Sequence, residues 1–241
     1  MNDFFFLAAG FGKRMQEWTH SIPKPLLKID GITFLDFALY NAWKWGVHKS
    51  WINVHYLGDK IIEHLENFSE FPIKISFEKK EILGTAGGIR TAIGADSTQD
   101  FIVIYNPDTL LFPSETFQIR KQLPANSKIH LYLQPQPQET NNYTRISMSE
   151  DGRLRLGEGN FFYIGLALLD PKLLETIPLH SVADLSPIFK FAAANNQLTG
   201  ELFDGNTLDL GEKELYESYL SRSVFGENKE DILRFVDRYL K

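Results

Sequence analysis

Leu7-Ala8-Ala9-Gly10-Phe11-Gly12-Lys13-Arg14-Met15 stands directly after the apolar run of residues 4–6. An uninterrupted apolar run closed by glycine is typical of a buried parallel strand that leads into a loop. Two glycines let backbone N–H groups approach a ligand closely, and the lysine and arginine that follow offset the charge of a bound anion. The segment therefore predicts a strand followed by a polyphosphate-binding loop.

A further cation is held rigidly in Ile22-Pro23-Lys24-Pro25-Leu26, where prolines restrict the backbone on both sides of the lysine. The first loop is not a dinucleotide-binding fingerprint, because Met15 occupies the position of the third glycine. It is not a P-loop either, because it lacks a Gly-Lys-Ser/Thr ending. A glycine loop alone is also compatible with a simple change of chain direction. The rigid lysine that follows favours anion binding.

From residue 4 to residue 108, the sequence alternates between strand and helix patterns. Strand-like runs lie at 4–9, 51–54, 73–77 and 101–104, and helix-like segments at 34–45, 60–65 and 85–93. The pattern then changes to strands at 128–133, 144–148, 153–156 and 161–169, a helix at 185–194, a strand pair within 200–209, and helices at 213–220 and 229–240. We predict an α/β fold with a central mixed, mostly parallel sheet flanked by helices and a small antiparallel subregion.

The composition narrows the functional class. The 241 residues include 25 Lys and Arg against 31 Asp and Glu, a formal net charge of −6, which argues against a general nucleic-acid coat. The absence of cysteine excludes disulfides, thiol nucleophiles and zinc ribbons. The longest apolar run, Phe161–Leu169, is much shorter than the roughly 20 residues of a membrane helix, and no basic segment precedes residues 4–9. We expect a cytoplasmic protein without a membrane segment.

The two motifs together resemble the signature of the sugar-1-phosphate nucleotidylyltransferases, which is Leu-Ala-Ala-Gly-x-Gly-x-Arg-Met/Leu followed by Pro-Lys-Pro-Leu. Further matches follow in order along the chain: residues 52–58 (Ile-Asn-Val-His-Tyr-Leu-Gly), residues 81–89 (Glu-Ile-Leu-Gly-Thr-Ala-Gly-Gly-Ile), Asn106-Pro107-Asp108, Gly165 and Leu208-Asp209-Leu210-Gly211. Within the family the chain is most similar to the short bacterial N-acetylmuramate-1-phosphate uridylyltransferases, which share its length and the residue 52–58 segment.

The resemblance implies a single Rossmann-like GT-A domain over residues 1–241, with a nucleotide-binding half (1–112) and a sugar-phosphate-binding half (113–241). It implies that the protein converts an NTP and a sugar 1-phosphate to an NDP-sugar and pyrophosphate. The expected NTP is UTP, and the expected sugar 1-phosphate is N-acetylmuramate 1-phosphate. The sugar phosphate oxygen attacks the α-phosphorus in line, and positioning and charge neutralisation supply the catalysis, with Mg²⁺ as cofactor. A role in peptidoglycan recycling would follow.

The resemblance also carries site residues onto matching positions. The expected nucleotide-binding residues are Leu7, Ala8, Ala9, Gly10, Gly12, Lys13, Arg14, Gly84, Gly87 and Asn106. The expected catalytic residues are Arg14, Lys24 and Asp108; the sugar-binding residues are Asn142, Glu158 and Gly165; and the Mg²⁺ ligands are Asp108 and Asp209.

Two departures from the family pattern leave alternatives open. Pro107 stands where the family often has glycine or alanine, and no lysine occurs in residues 157–160, where many relatives bind the sugar phosphate. One alternative is a GTP-using hexose (mannose) 1-phosphate guanylyltransferase, and another is a non-catalytic nucleotide-sugar-binding regulatory protein. A dinucleotide-dependent oxidoreductase is a weaker alternative. We expect a monomer or small homo-oligomer with no nucleic-acid or membrane partner.

Overall fold

The computed structural model describes residues 2–94, 100–136 and 143–240. Its strands are β1 (Asn2–Leu7), β2 (Lys28–Ile29), β3 (Ile32–Thr33), β4 (Val47–Val54), β5 (Ile73–Phe77), β6 (Ile102–Tyr105), β7 (Thr109–Pro113), β8 (Ile129–Pro135), β9 (Ile146–Met148), β10 (Leu154–Leu156), β11 (Phe161–Leu169), β12 (Leu198–Leu202) and β13 (Gly205–Asp209). Its α-helices are α1 (Phe34–Lys44), α2 (Gly58–His64), α3 (Gly84–Ile93), α4 (Leu185–Ala194), α5 (Lys213–Tyr219) and α6 (Lys229–Val236). Short 3₁₀ helices cover Lys13–Thr19, Lys24–Leu26, Pro171–Leu174 and Gly226–Asn228.

Nine of the described strands form one mixed sheet. Its order is β10-β9-β11-β6-β1-β4-β5, with β8 beside β11 and β12 beside β8. Four pairs of neighbouring strands are parallel: β1–β4, β1–β6, β4–β5 and β8–β12. Strand β11 runs antiparallel to β6, β8 and β9, and β9 runs antiparallel to β10. The mixed α/β sheet is confirmed, but its antiparallel part is larger than predicted, because the nine-residue strand β11 pairs with three neighbours.

The two faces of the sheet carry separate cores. Phe4, Phe5 and Phe6 of β1 are all fully buried, and successive side chains of a strand point to opposite faces. Phe4 and Phe6 pack with the apolar residues of α1 and α6, whereas Phe5 packs with those of α3 and α4. A strand covered on both faces explains why its sequence is continuously apolar rather than alternating.

The parallel strands bring the predicted site segments to one edge of the sheet. β1 and β6 are parallel neighbours, so the glycine loop after β1 and residues 106–108 after β6 emerge side by side. β13 pairs antiparallel with β7 and places Asp209 opposite Thr109, next to Asp108. Open α/β sheets bind their ligands at the carboxyl ends of such strands.

Residues 200–209 form two strands as predicted, but these strands do not pair with each other. β12 joins β8 in the main sheet, and β13 joins β7 in a separate two-stranded sheet. Asp204, between them, directs the chain from one sheet to the other, since its carboxylate accepts hydrogen bonds from the hydroxyls of Ser114 and Thr116. The predicted division between residues 112 and 113 falls within β7.

The sequence pattern predicts a loop at residues 13–19, whereas the structure has a 3₁₀ helix there that is kinked at Gln16 (φ 50°, ψ −124°). In the ranges that the structure describes, no helix is both long enough and apolar enough to cross a membrane.

Candidate active site

The two glycines of the loop after β1 have different surroundings. Gly12 has φ +65°, and a Cβ at this position would lie 2.9 Å from Cγ2 of Thr19, so glycine is required here. Its carbonyl accepts a hydrogen bond from the amide of Met15 at 2.8 Å, which begins the 3₁₀ helix. Gly10, in contrast, has no atom of any other described residue within 4 Å of the position of a Cβ, its two chain neighbours aside. The loop backbone is therefore packed against protein at Gly12 and open to a ligand at Gly10.

Lys24 and Asp108 form an ion pair at this edge of the sheet. Nζ of Lys24 donates to Oδ2 of Asp108 at 2.6 Å. Lys24 is 9% exposed, and Pro23 and Pro25 fix the backbone on either side of it. The side chain of Asp108 is 33% exposed and faces the solvent side of the pair. The two charges therefore neutralise each other.

Asp209 reaches the same place from the end of β13. Its Oδ1 accepts a hydrogen bond from the amide of Gly211 at 2.8 Å, and its Oδ2 accepts one from the hydroxyl of Tyr143 at 2.7 Å. Burial and this contact with Asp209 raise the pKa of Tyr143, which keeps the hydroxyl protonated as a donor. A Cβ on Gly211 would lie 2.8 Å from Oδ1 of Asp209, 3.2 Å from Nζ of Lys24 and 3.4 Å from Nη2 of Arg14. Three charged side chains thus converge on Gly211.

Lys13 and Arg14 lie on the open side of the loop. Nζ of Lys13 is 5.3 Å from the centre of the Phe11 ring, a cation–π geometry. The Phe11 ring is 42% exposed and meets the ring of His55 edge-on, with centroids 5.6 Å apart. Nη1 of Arg14 is 3.2 Å from a carboxylate oxygen of Glu212. These exposed contacts leave both cations accessible to a ligand.

A cleft of about 440 Å³ lies between these elements. It is lined by Leu7, Ala8, Gly10, Phe11, Gly12, Lys13, Arg14, Lys24, Pro25, Ile82, Pro107, Asp108 and Gly211. The lining contains three cations and one carboxylate, so its net charge is positive and suits a polyphosphate. Most of the predicted phosphate-facing residues meet here, whereas the predicted nucleotide-binding residue Ala9 is buried beside the cleft.

The segment near the C-terminus holds the glycine loop from outside. The indole Nε1 of Trp18 donates to a carboxylate oxygen of Glu217 at 3.0 Å. Nζ of Lys213 donates to Glu17 at 2.5 Å, and this bond lowers the pKa of Glu17 and raises that of Lys213. Helix α5 therefore supports the 3₁₀ helix that follows the loop.

Asn106 and Gly165 lie against each other behind the cleft. The amide of Asn106 donates to the carbonyl of Gly165 at 2.9 Å. Gly165 has φ +84°, and a Cβ there would stand 2.9 Å from Cβ of Asn106, so β11 passes closely only because this residue is glycine. Oδ1 of Asn106 is buried and has no hydrogen-bond partner among the described residues, and such an atom calls for a ligand or water contact. The nucleotide-binding role of Asn106 and the sugar-binding role of Gly165 stay predictions.

Gly84 and Gly87, which we predicted to contact the nucleotide, do not line the cleft. A Cβ on Gly87 would lie 2.1 Å from the carbonyl oxygen of Ser181, and one on Gly84 would lie 2.6 Å from that of Ala183. The observed reason for these glycines is the close packing of α3 on the 181–184 loop. Ile82, just before α3, is the residue of this segment that reaches the cleft. A nucleotide contact from either glycine stays a prediction.

A second cleft, of about 680 Å³, lies beside Tyr143. It is lined by Leu131, Tyr143, Thr144, Ile146, Leu156, Gly157, Tyr163, Ser186, Phe189 and Lys190. The hydroxyl of Tyr163 is buried and has no hydrogen-bond partner in the part of the chain that the structure describes, and burial raises its pKa. Glu158, a predicted sugar-binding residue, is exposed next to Gly157, and Asn142 lies outside the described residues. Tyr143 donates to Asp209, which in turn accepts a hydrogen bond from the amide of Gly211 in the lining of the first cleft.

Asp108 and Asp209 have the donor chemistry that a Mg²⁺ ion prefers. Mg²⁺ takes oxygen ligands and is commonly bound by one or two carboxylates together with substrate phosphates and water. Within the described residues, no three His, Asp or Glu side chains cluster into a larger metal site. A carboxylate oxygen can accept more than one contact, so the single hydrogen bonds observed at these oxygens leave capacity for an ion. The donor chemistry of these two residues therefore fits a Mg²⁺ ion.

Sequence reasoning missed Tyr143 and Lys190. Neither stands in a motif, and no spacing in the sequence connects them with the glycine loop or with Asp209. The nearest signal was the position of Tyr143 directly after Asn142, a predicted sugar-binding residue. Gly211 belongs to the Leu208-Asp209-Leu210-Gly211 motif, but its closeness to three charged side chains becomes visible only in the folded structure.

Known proteins match this chain over most of its length. A family model described as the MobA-like NTP transferase domain matches residues 5–128. The N-acetylmuramate alpha-1-phosphate uridylyltransferase of Neisseria meningitidis serogroup B is 31% identical over 212 residues, which cover 85% of this chain and 91% of that protein. The probable mannose-1-phosphate guanylyltransferase 1 of Oryza sativa subsp. japonica is 26% identical over 224 residues, which cover 87% of this chain and 61% of that protein.

A solved structure has the same fold. The structure of HddC from Yersinia pseudotuberculosis, complexed with GMP-PN, has a TM-score of 0.69 at 18% identity, covering 92% of this chain and 99% of that one. The fold is GT-A-like.

Proposed function

The chain belongs to the MobA-like NTP transferase family, and from that membership we propose that it transfers a nucleotidyl group from an NTP to a sugar 1-phosphate. The substrates we propose are UTP and N-acetylmuramate 1-phosphate. An oxygen of the sugar phosphate attacks the α-phosphorus, a new P–O bond forms, and the bond from the α-phosphorus to the β-phosphate oxygen breaks. Pyrophosphate leaves and the UDP-sugar remains. The observation that carries this proposal is the meeting of the glycine loop, Lys24 and Asp108 in one cleft.

In this proposal the glycine loop binds the triphosphate. Gly10 has open space beside it, so the backbone can approach phosphate oxygens without obstruction. Lys13 and Arg14 are exposed on the same side and offset the charge of the phosphates. The exposed ring of Phe11 offers a surface on which the base can stack.

Lys24 is the proposed contact of the α-phosphate and the sugar phosphate. It is rigid and mostly buried, and on ligand binding its ammonium exchanges the carboxylate of Asp108 for phosphate oxygens. Once this exchange has taken place on binding, the cation lies in a partly enclosed site where it stabilises charge in the transition state. Bringing two anions together is the main physical demand of this reaction, and Lys24 meets it.

Asp108 and Asp209 are the proposed Mg²⁺ ligands. When bound, the ion neutralises charge on the α-phosphate and on the departing pyrophosphate. Tyr143 orients the carboxylate of Asp209 by donating to Oδ2, and the amide of Gly211 does so at Oδ1. These two hydrogen bonds hold Asp209 in one position.

We propose that the second cleft receives the sugar. Tyr163 and Phe189 supply aromatic walls, and Tyr143 places this cleft next to Asp209. Lys190 lines the same cleft and makes no ion pair with any described residue. The lactyl group of N-acetylmuramate carries a carboxylate that N-acetylglucosamine lacks, and Lys190 is the cation available to it. We further propose that the reaction belongs to the cytoplasmic recycling of peptidoglycan sugars.

A second candidate pair is GTP with mannose 1-phosphate, because the rice relative and several others carry that activity in their names. A non-catalytic regulatory protein would retain nucleotide binding without turnover. These alternatives differ in which substrate pair, if any, releases pyrophosphate.

The deciding experiment measures pyrophosphate release, with and without Mg²⁺, from UTP and GTP. Each is combined with the 1-phosphates of N-acetylmuramate, N-acetylglucosamine, glucose and mannose. We expect release with UTP and N-acetylmuramate 1-phosphate, and its loss in a folded Asp108→Asn variant. Release only with GTP and mannose 1-phosphate would select the second pair. Nucleotide binding without release from any pair would contradict the enzymatic proposal.

The substrate assignment has a sharper test in Lys190. We expect Lys190→Ala to raise the KM for N-acetylmuramate 1-phosphate about fivefold, as for a partly exposed ion pair, and to leave that for N-acetylglucosamine 1-phosphate unchanged. An equal rise in the KM for both sugar 1-phosphates would show that Lys190 does not bind the lactyl carboxylate.

A further inference from the structure

A buried carboxylate that the proposed chemistry does not use lies behind the nucleotide cleft. Glu78 is 4% exposed. Its Oε1 accepts a hydrogen bond from Nδ2 of Asn53 at 2.7 Å, and its Oε2 accepts one from the amide of Leu83 at 2.8 Å. Oδ1 of Asn53 in turn accepts a hydrogen bond from the amide of Ala8 at 2.9 Å. Because the amide of Ala8 can only donate, this contact fixes the orientation of the Asn53 side chain.

This chain of hydrogen bonds joins two walls of the cleft. Ala8 lines the cleft from the β1 side, and Ile82, which precedes Leu83, lines it from the other. The backbone of Glu78 also contributes, since its carbonyl oxygen lies 2.5 Å from Nδ1 of His55, the residue whose ring meets Phe11.

Helix α3 leaves room for the same network. A Cβ on Gly88 would lie 2.6 Å from Oε1 of Glu78 and 2.7 Å from Nδ2 of Asn53. Gly88 does not have a positive φ, so its backbone conformation does not require glycine. The packing of Glu78 and Asn53 against the helix is therefore what excludes a side chain at this position.

We propose that Asn53 and Glu78 are positioning residues that set the separation of the two nucleotide-facing walls. The inference rests on the proposed function, because it assigns the nucleotide to the cleft that the network frames. Only one arrangement of these side chains forms every hydrogen bond of the buried carboxylate, so the backbones of Ala8 and Leu83 are held at a fixed distance from each other. Neither Asn53 nor Glu78 lines the cleft.

The test exchanges the two side-chain chemistries. In Glu78→Gln, an amide NH₂ replaces one of the two acceptor oxygens. Its N–H then points at another N–H donor, either that of Asn53 or that of Leu83, and one hydrogen bond is lost. In Asn53→Asp at pH 8, two carboxylates face each other across the distance of a hydrogen bond. In the double variant Asn53→Asp/Glu78→Gln, the carboxylate introduced at position 53 accepts from Ala8 and from the amide introduced at position 78, whose oxygen accepts from Leu83. The double variant restores all three hydrogen bonds.

We expect each single substitution to raise the KM and Kd for UTP about tenfold, with a much smaller change in the KM for the sugar 1-phosphate. The double variant is expected to recover the wild-type affinity for UTP. All proteins are assayed well below their unfolding temperatures, where the folded fraction is close to one.

The matched control is Tyr239→Phe, which removes a buried hydrogen bond at 2.7 Å to Asp36, among residues that do not line the cleft. We expect this variant to unfold at a lower temperature with an unchanged KM for UTP. Where a single variant does not fold, Gly88→Ala displaces the same pair, and we expect it to weaken UTP binding in the same way.

Single variants that lose only thermal stability, or a double variant that does not recover UTP affinity, would overturn the inference. A wild-type protein that binds UTP without turnover would overturn the proposed reaction alone, and the UTP affinities of the variants would then decide the positioning role. A wild-type protein that neither binds nor converts nucleotide would overturn both.

Discussion

Substituting Gly211 by alanine tests whether the placement of the charged groups governs catalysis. The added Cβ would stand 2.8 Å from Oδ1 of Asp209, against an ordinary contact of at least 3.4 Å. The carboxylate must therefore move by about 3.4 − 2.8 = 0.6 Å, and its hydrogen bond from the residue 211 amide is disturbed. A misplacement of about 1 Å costs roughly 10²-fold in rate, so we expect kcat to fall about ten- to thirtyfold. Gly211 does not have a positive φ, so alanine is compatible with the backbone.

The assay is pyrophosphate release as a function of Mg²⁺ concentration, with thermal unfolding measured in parallel. We expect Gly211→Ala to require more Mg²⁺ for half-maximal rate and to unfold near the wild-type temperature, because the atoms it displaces belong to side chains. Tyr143→Phe removes the other hydrogen bond to Asp209 without adding an atom, and we expect a smaller loss in the same direction. Wild-type kcat and Mg²⁺ dependence in Gly211→Ala would refute the reasoning.

Two further predictions concern the loop and the sheet. The Cβ added in Gly10→Ala meets no atom of the described residues beyond its chain neighbours within 4 Å, so we expect an unchanged unfolding temperature and a KM for UTP raised about tenfold. An unchanged KM would mean that no phosphate approaches this backbone. At Glu201, burial alone would raise the pKa, but interactions with His130 and Arg120 outweigh it and lower the pKa to about 2. A folded-state pKa below the ordinary value of 4.5 stabilises the fold above pH 4.5, and this contribution is lost as pH falls from 4.5 towards 2. Glu201→Gln should flatten that part of the curve of unfolding free energy against pH, and an unchanged slope would contradict the assignment.

The fold was predictable where local patterns and burial agree. The run at residues 4–6 predicted a strand buried on both faces, and the structure confirms it. The strands at 200–209 were predicted as a pair because they are adjacent in sequence, but pairing depends on the whole sheet. There the hydrogen bonds of Asp204 to Ser114 and Thr116 take the chain across to β7, and no local pattern records that contact.

The candidate site was predictable to the extent that it consists of motifs. The glycine loop, Lys24 and Asp108 were identified from the sequence, and the structure brings them together. The hydrogen-bonded pair of Asn53 and Glu78 was not found, because a single Asn and a single Glu in strand-like surroundings give no signal. Gly84 and Gly87 show the opposite limit: a glycine required for packing and a glycine required for ligand approach are identical in sequence.

The support that α5 gives the glycine loop has a consequence for how the molecule is made. Trp18 and Glu217 are 199 residues apart, and Glu17 and Lys213 are 196 residues apart. On the ribosome, the loop is synthesised long before the helix that supports it, and contacts of such separation form late in folding. A nascent chain that has emerged only as far as β13 contains all the strands of the sheet and the glycine loop, but it lacks this outer support and helix α6, which packs on one face of the sheet. Nucleotide binding is therefore expected to develop only after α5 has emerged, because α5 carries the contacts that support the segment after the glycine loop.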